Sequence, residues 1–284
     1  MKKIVLASTF GLFSLSAAFG QDAIQKATVD QLRKDKEKSD TGLNDPKSNV
    51  KAAFWMERAK TYEGIALNGS EIDSVAANKA LEAYKKVVEL DLTKKGEPGK
   101  SAKDAQKAIA GGEGTNLYQA FFKQGAEQYQ IKNLGSALTL FKTAQEINPK
   151  DTTVALYGGI TAQQLEKNDV AIANFETYAA NGGKDPAVFY GLSELYSNAK
   201  DFDKATKTLQ LGLERAPGNK DLNSAIVNLM IRSGNREKAI EGLQGLVKAD
   251  PSNAVNIVNL AMLYDNMTHD ANAKIKTLSG KLGA

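Results

Sequence analysis

Small and large apolar residues recur along this chain at a fixed interval of 34 residues. The clearest series consists of one small residue per interval, at Ala137, Ala171, Ala205, Ala239 and Ala273. A large apolar residue follows each of the first four alanines by one helical turn, at Phe141, Phe175, Leu209 and Leu243. Residues four positions apart share one face of a helix, and a repeat of this length is one supersecondary unit. The pattern therefore predicts a series of paired helices.

Helix packing explains why these positions recur. A small residue at the crossing lets two helix backbones approach each other, while the large residues fill the space on either side. Proline recurs near the unit boundaries, at Pro149, Pro186, Pro217 and Pro251, and is predicted to end the second helix of each unit. Each pair leaves an apolar flank that the next pair covers. The predicted fold is an all-α solenoid with units at 118–151, 152–185, 186–219, 220–253 and 254–284.

These residues resemble the tetratricopeptide repeat (TPR) family. Unit 118–151 carries the family pattern at Phe121, Gly125, Tyr129, Ala137, Phe141, Ala144 and Pro149, with Tyr129 one place from the family tyrosine. Two departures are Gly212, in the place of an alanine, and Val227, in the place of a small residue. The resemblance implies a right-handed superhelix of antiparallel helix hairpins. It also implies a non-catalytic scaffold for protein–protein interaction.

The two ends of the array are predicted to depart from the regular pattern. Residues 254–284 are predicted to form a truncated capping unit, with His269 in the short turn between its two helices. Residues 21–48 are predicted to form a helix and a linker. Residues 49–114 are predicted to form a divergent hairpin with an extended loop, a short helix and a glycine-rich linker. This divergent region is similar to that of exported TPR proteins of Bacteroidota whose function is unassigned.

The first twenty residues have the pattern of a Sec-type signal peptide. Lys2 and Lys3 precede an apolar run from 4 to 19, and small residues precede Gln21. The run is short for a spanning helix, which needs about 20 apolar residues, although an uncleaved anchor is the alternative. The chain has no cysteine, which excludes a disulfide framework and a lipidated cysteine at the junction. The mature chain is predicted to be periplasmic or secreted, without an integral membrane segment.

Charge does not point to a nucleic acid or to an anionic membrane. The chain has 37 basic and 33 acidic residues, for a formal net charge of +4. Proteins that bind nucleic acid concentrate basic residues on one face or in one segment, and here the charges are spread evenly. The expected partners are therefore other proteins or peptides, whose identity the sequence does not determine.

One segment resembles a phosphate-binding loop in outline. Gly99, Lys100 and Ser101 follow an apolar segment and precede a helix. A phosphate-binding loop needs a further glycine five residues before Gly99, where its backbone amides turn towards the phosphate, and this chain has Lys94. The segment is therefore predicted to be a solvated loop.

Other residues with catalytic chemistry also lack the partners they would need. His269 is the single histidine of the chain and is predicted to be a surface residue. Carboxylates occur in pairs, Glu57 with Glu63 and Asp201 with Asp203, but charges of this kind are usual on the helices of a repeat protein. We predict no catalytic residue, no cofactor and no metal.

The resemblance also implies where a partner binds. In this family, partners lie along a concave face formed by the first helix of each hairpin, here termed helix A. The matching positions combine aromatic side chains with amides, which suit a polypeptide ligand. They are Phe122, Tyr129, Gln130, Leu156, Gln163, Gln164, Tyr190, Glu194, Asn198, Asn228, Ile231, Arg232, Met262 and Asn266. The alternative is a glycan-binding or nutrient-uptake accessory protein of the envelope.

Overall fold

The computed structural model of the protein describes residues 18–112, 114–252 and 254–282. Most of the predicted signal segment, 1–17, lies outside these ranges. The described residues form thirteen α-helices and a single bridge between Leu92 and Pro98. The helices are α1 (Ala18–Gly42), α2 (Ala52–Asn68), α3 (Ala76–Leu90), α4 (Lys100–Ile109), α5 (Leu117–Gln130), α6 (Leu134–Ile147), α7 (Thr152–Gln164), α8 (Asn168–Ala180), α9 (Pro186–Asn198), α10 (Phe202–Arg215), α11 (Lys220–Arg232), α12 (Arg236–Ala249) and α13 (Ala254–Leu282).

The all-α fold predicted from the sequence is confirmed. The chain divides into two compact units, Met1–Asn181 and Gly182–Ala284. In the first unit, α5 pairs with α6 and α7 pairs with α8; in the second, α9 pairs with α10 and α11 with α12. Helices α7, α9 and α11 begin at Thr152, Pro186 and Lys220, which are 34 residues apart.

The turn inside each hairpin depends on one residue in the left-handed region. Lys132, Glu166, Lys200 and Gly234 have φ values of 65°, 58°, 62° and 80°, and they are themselves 34 residues apart. The amide of the following residue then donates to a carbonyl five residues earlier, as Asn133 does to Gln128 at 2.9 Å. This is the bond that closes a helix C-terminus in a Schellman motif. The turn geometry thus follows the same repeat as the core.

The registered alanines lie at the crossings of the four hairpins, as predicted. Ala137, Ala171, Ala205 and Ala239 all have an exposed fraction of 0%. The facing helix has no room for a side chain at its crossing position, because a Cβ atom added at Gly159 would lie 2.4 Å from Cε1 of Phe175. Phe175 therefore packs directly on the glycine backbone of the facing helix, and Phe141 lies against Gly125 in the same way.

The two departures from the family pattern have packing explanations. A Cβ atom at Gly212 would lie 2.7 Å from Cβ of Phe189, so the alanine expected there does not fit. The larger Val227 faces Gly242, where an added Cβ would lie 3.3 Å from the valine methyl group. A gain in volume on one helix is thus matched by a small residue on its neighbour.

Two predictions about proline and the last unit are wrong. Pro186 does not end a helix: it is the first residue of α9, where the missing N–H costs no hydrogen bond and the Asp185 side chain caps the helix. Helix α8 ends six residues earlier, at Ala180.

Residues 254–282 form one continuous helix instead of a hairpin. The position that adopts a left-handed φ in the other hairpins is here Thr268, and a β-branched residue is strained in that region. Thr268 stays helical and its hydroxyl donates to the carbonyl of Tyr264 at 2.9 Å. As a result, His269 lies within the helix and not in a turn, although it is exposed. Ala273 is also exposed and does not lie at a crossing, unlike the other four alanines.

The divergent region pairs α2 with α3 and packs α5 against both. Helix α4 covers α3 through three alanines, Ala102, Ala105 and Ala108, which are all buried. Its N-terminus is capped from the preceding loop, since the carboxylate of Asp91 accepts from the amide of Ala102 at 2.9 Å. The Gly99–Ser101 segment is thus the start of a helix that already has an anion at its N-terminus. The apolar residues before it belong to helix α3 and not to a strand.

Helix α1 docks on α2 through a polar network. The carboxylate of Asp40 accepts hydrogen bonds from Lys36 at 2.8 Å, from Arg58 at 2.8 Å and from the hydroxyl of Tyr62 at 2.5 Å. The Arg58 guanidinium also donates to the hydroxyl of Ser39 at 2.9 Å and lies over the Tyr62 ring. Within the described part of the chain, no helix combines the length and apolar character needed to cross a membrane.

Candidate partner-binding surface

The first unit brings an aromatic cluster to the surface of α5 and α7. Phe122 and Tyr129 both lie on the same face of α5, about two turns apart, and both are half-buried. Tyr157 on α7 lies between them, with ring centroids 5.9 Å from Phe122 and 6.3 Å from Tyr129. Phe141 closes the cluster from below, 5.9 Å from Tyr157. The rings are therefore held in place by one another before any ligand binds.

Polar groups fix the outer edge of this aromatic cluster. The Gln164 side-chain amide donates to the hydroxyl of Tyr129 at 2.6 Å, which joins two successive A helices. The Lys132 ammonium lies 5.5 Å from the centre of the Tyr129 ring. Tyr129 thus presents an oriented ring with amide and ammonium groups around it. A half-buried ring that is already held in one rotamer loses little entropy when it binds a partner.

The other predicted residues of the first unit differ in exposure. Gln163 is exposed, whereas Leu156 is half-buried beside Tyr157. Gln130 is exposed and lines a cavity of about 670 Å³ together with the loop that joins α2 to α3. The other residues that line the cavity are mostly polar: Ser70, Glu71, Ile72, Asp73, Ser74, Glu127, Gln128 and Ile131.

The second unit carries a charged cluster on α9 and α11. The Arg232 guanidinium donates to both carboxylate oxygens of Glu194, at 2.9 and 3.1 Å, and approaches the amide oxygen of Asn198 at 3.4 Å. Burial raises the pKa of the nearby Tyr190, and the charge of Glu194 raises it further while Arg232 opposes the change. Both the burial and the Glu194 charge thus favour the protonated hydroxyl of Tyr190.

Four predicted residues of the second unit are not part of this cluster. Asn228 and Met262 are exposed, and Ile231 packs against the buried core formed by Val227, Ala239, Leu243 and Leu263. Ile231 is therefore better explained as a core residue. The side chain of Asn266 lies outside the described residues.

Tyr157 contacts three other rings of the aromatic cluster, although the sequence did not predict it as a member of the binding surface. The family register placed Leu156 on the binding face, and the next residue was left out. No spacing signal links the two rings, because Tyr157 lies 28 residues after Tyr129 and on a different helix. Their contact depends on how α5 and α7 stack, which local spacing does not specify.

In each of the two carboxylate pairs weighed as possible acid and base, one member, Glu63 or Asp201, has a structural partner. Glu57 is exposed, whereas Glu63 is buried and accepts from the Tyr84 hydroxyl at 3.0 Å. Burial raises the pKa of Glu63, and hydrogen bonds from Tyr84 and Asn116 oppose that change. Asp201 accepts from the Lys204 amide at 3.0 Å and so caps α10. Among the described residues, no group of three or more His, Cys, Asp or Glu side chains forms a possible metal site.

Comparisons with known proteins agree with the helical repeat. Residues 186–219 match the tetratricopeptide-repeat family model. The cell division cycle protein 27 homolog A of Arabidopsis thaliana is 25% identical over 114 residues, which is 39% of this chain and 16% of that protein. The chain thus spans about a sixth of the length of this curated relative.

The solved structures to which this chain is similar include the following three. MamA has a TM-score of 0.44 and 16% identity, over 70% of this chain and 94% of that one. A TPR protein from Parabacteroides merdae has a TM-score of 0.44 and 16% identity, over 78% and 76%. YrrB, described as a TPR protein with an unusual peptide-binding site, has a TM-score of 0.42 and 16% identity, over 78% and 96%.

The helix hairpins and their 34-residue register define a helical-repeat protein of the all-α class. The match at residues 186–219 places a tetratricopeptide repeat within this series of hairpins.

Proposed function

We propose that this protein is a non-catalytic scaffold of the cell envelope that binds polypeptide partners on the A helices of its repeats. The observation that carries the proposal is the ordering of side chains on that surface. Tyr129 is held by Gln164, and Arg232 is held by Glu194, in both cases between successive A helices. Rigid aromatic and arginine side chains are the residues that most often dominate binding energy at protein interfaces.

The chemistry of the two clusters favours an extended peptide. Gln163 and Gln164 offer amide donors and acceptors beside the aromatic cluster, which suits the backbone groups of a peptide. The half-exposed Glu194 and Arg232 offer both signs of charge in the second unit. Because each of these two charges already has a partner, a ligand exchanges hydrogen bonds there and does not leave a charge unpaired.

Site-specific photo-crosslinking tests this binding surface. A photo-reactive residue placed at Gln163, on an A helix, is expected to form adducts with a polypeptide in the intact envelope. The matched control is the same residue at Lys142, whose exposed side chain lies on the second helix of a hairpin. Adducts at both positions, or at neither, would contradict the proposal.

The partner recovered in this way allows a quantitative test. Tyr129→Ala and Arg232→Ala are each expected to weaken binding of the purified partner by about tenfold or more, because truncation of an ordered anchor residue costs about 1.4 kcal/mol or more. Lys142→Ala is the control that should leave the dissociation constant unchanged. Binding to a glycan array that is lost in Tyr129→Ala would instead replace the polypeptide by a glycan as the ligand.

Export of the chain is the other testable part of the proposal. It is supported by Lys2 and Lys3, by the apolar run that follows and by the small residues before Gln21. Mass spectrometry of the protein from a periplasmic fraction is expected to find a chain that begins at Phe19 or Gln21. An intact chain that begins at Met1 and remains in the cytosol or the membrane would refute the location.

A further inference from the structure

Helix α13 exposes a regular stripe of apolar and small side chains. The positions are separated alternately by four and three residues, which is the heptad spacing of a coiled coil. The large members are substantially exposed: Ile257 by 43%, Tyr264 by 45%, Ile275 by 63% and Leu278 by 52%. In order, the stripe consists of Ile257, Ala261, Tyr264, Thr268, Ala271, Ile275 and Leu278.

A different face of α13 attaches the helix to the rest of the second unit. Leu263 is buried, with an exposed fraction of 3%, and Leu260 packs against the same core beside α12. The stripe borders this attached face, because Leu260 lies one helical turn from both Ile257 and Tyr264, but Ile275 and Leu278 further along the stripe are more than half exposed. One contact orients it, since the Gln244 side chain donates to the hydroxyl of Tyr264 at 2.7 Å.

The straight helix explains why this stripe has no partner within the described chain. In the other hairpins a left-handed residue reverses the chain, so that the second helix covers the first. Thr268 occupies the equivalent position and keeps α13 helical, so the segment after it extends away from the segment before it. Each half of α13 thus lacks the antiparallel neighbour that a hairpin supplies. An equivalent helix from another copy can supply that neighbour.

The side chains of the stripe match an antiparallel arrangement of two α13 helices. With the two-fold axis between His269 and Asp270, Ala261 faces Leu278 of the second copy, and Tyr264 faces its Ile275. Each layer then pairs a small or planar side chain with a branched one, which fills the interface evenly. In a parallel pair, Ala261 and Thr268 would instead each face their own copies, which leaves voids.

Charges beside the stripe are compatible with the antiparallel pair. In that arrangement the flanking Asp265 faces Asn272 of the second copy, and Met267 faces its Lys274. No like-charge pair is brought together, so electrostatic repulsion does not oppose association. The segment from 261 to 278 is about 26 Å long at 1.5 Å per residue, or about two and a half heptads from each copy.

We propose that α13 is a self-association surface, through which two copies of this chain pair antiparallel along the part of the stripe from Ala261 to Leu278. Three features support a second copy of the chain as the partner of this stripe: its exposed heptad spacing, the continuous helix through Thr268, and the pairing of small with large side chains. The pairing uses neither the aromatic cluster nor the Glu194–Arg232 cluster. It therefore stands or fails independently of the proposed binding of a polypeptide.

Sedimentation and light scattering on the full chain test the association. We expect a concentration-dependent dimer whose dissociation constant rises by about tenfold or more in Ile275→Asp, because the substitution places a charge in the apolar layer. Lys276→Asp is the matched control, since Lys276 is exposed one position off the stripe. Circular dichroism should show both variants as helical as the parent. A monomer at all concentrations, or a dimer equally stable in Ile275→Asp and Lys276→Asp, would overturn the proposal.

Cysteine crosslinking tests the orientation of the two helices. The chain has no native cysteine, so only the introduced cysteines can form a disulfide. A mixture of Ala261→Cys and Leu278→Cys chains is expected to form a disulfide between the two variants under oxidation. Leu278→Cys alone is expected to remain uncrosslinked, because the two copies of position 278 lie at opposite ends of the antiparallel pair. Efficient self-crosslinking of Leu278→Cys, without the mixed product, would show a parallel pair and overturn the antiparallel arrangement.

Discussion

Gly212→Ala is expected to lower the free energy of unfolding by about 1–3 kcal/mol, although alanine normally favours a helix. The new Cβ atom would lie 2.7 Å from Cβ of Phe189 and 2.9 Å from a methyl group of Leu222. The Cβ of Phe189 is fixed to the backbone of α9, so it cannot rotate away. Phe189 and Leu222 are both fully buried, so relief requires α9 and α10 to separate.

Gly191→Ala is the matched control for this substitution. Gly191 lies inside α9, in the same unit, and an added Cβ would meet no atom within 4 Å. There alanine should raise the free energy of unfolding by about 0.5–1 kcal/mol, because it orders the helix at less entropic cost than glycine. Urea unfolding followed by circular dichroism compares the two variants in the same unit. A common sign of the two effects would contradict the packing around Gly212.

Asp40→Asn is expected to loosen α1 from α2 and to lower the free energy of unfolding by about 1–3 kcal/mol at neutral pH. Fully breaking a buried ion pair costs about 3–5 kcal/mol, and the value is smaller here because the Asp40 side chain is 37% exposed and solvent screens it. The substitution removes the carboxylate charge that faces the nearly buried guanidinium of Arg58, and leaves only a neutral amide oxygen and the Ser39 hydroxyl as acceptors from α1. Asp30→Asn, at an exposed position on the same helix, is the control.

The stabilisation by Asp40 is also expected to depend on pH. Burial raises the pKa of Asp40, but the hydrogen bonds from Lys36, Tyr62 and Arg58 outweigh it and hold the pKa well below its usual range. A carboxyl group with a lowered pKa in the folded state stabilises the fold fully at pH values above its unfolded pKa, which is about 3.9. That stabilisation is lost as the pH falls from the unfolded pKa towards the folded pKa.

Urea unfolding at pH 7 and below pH 4 tests this dependence. The difference in stability between the parent and Asp40→Asn should shrink at the lower pH, whereas Asp30→Asn should match the parent at both. Limited proteolysis adds a local measurement, since release of α1 exposes cleavable bonds in that helix. An unchanged difference at both pH values would show that Asp40 acts through packing and not through its charge.

The regular hairpins could be predicted from the sequence because one interaction repeats in them. A small residue and a large apolar residue, one turn apart, specify a helix crossing, and Ala137, Ala171, Ala205 and Ala239 all lie at such crossings. The same reasoning failed at Ala273. There the alanine was present, but the turn residue that brings the second helix back was replaced by Thr268. The packing signal at Ala273 was also incomplete, because Thr277 stands where the other units have a large apolar residue, and Thr268 disfavours the left-handed φ of the turn.

The candidate surface could be predicted only in part. The family register correctly placed Tyr129 and Gln164 on neighbouring helices, and likewise Glu194 and Arg232, so these residues meet as their positions suggest. It also placed Ile231 on the surface, where the structure packs that side chain against the core. It did not find Tyr157. Exposure of a helical residue depends on the rotation of its helix against the next one, which spacing within the helix does not specify.

The sequence by itself determined that this chain is an all-α repeat protein with a 34-residue unit, because helix periodicity and small crossing residues are local signals. The tertiary structure alone decided which side chains meet between successive helices. It decided that Asp91 caps a helix nine residues away, that Asp40 joins α1 to Arg58 on α2, and that α13 is continuous with an exposed stripe. Those outcomes depend on distances between elements that are far apart along the chain, and these are set only when the helices pack.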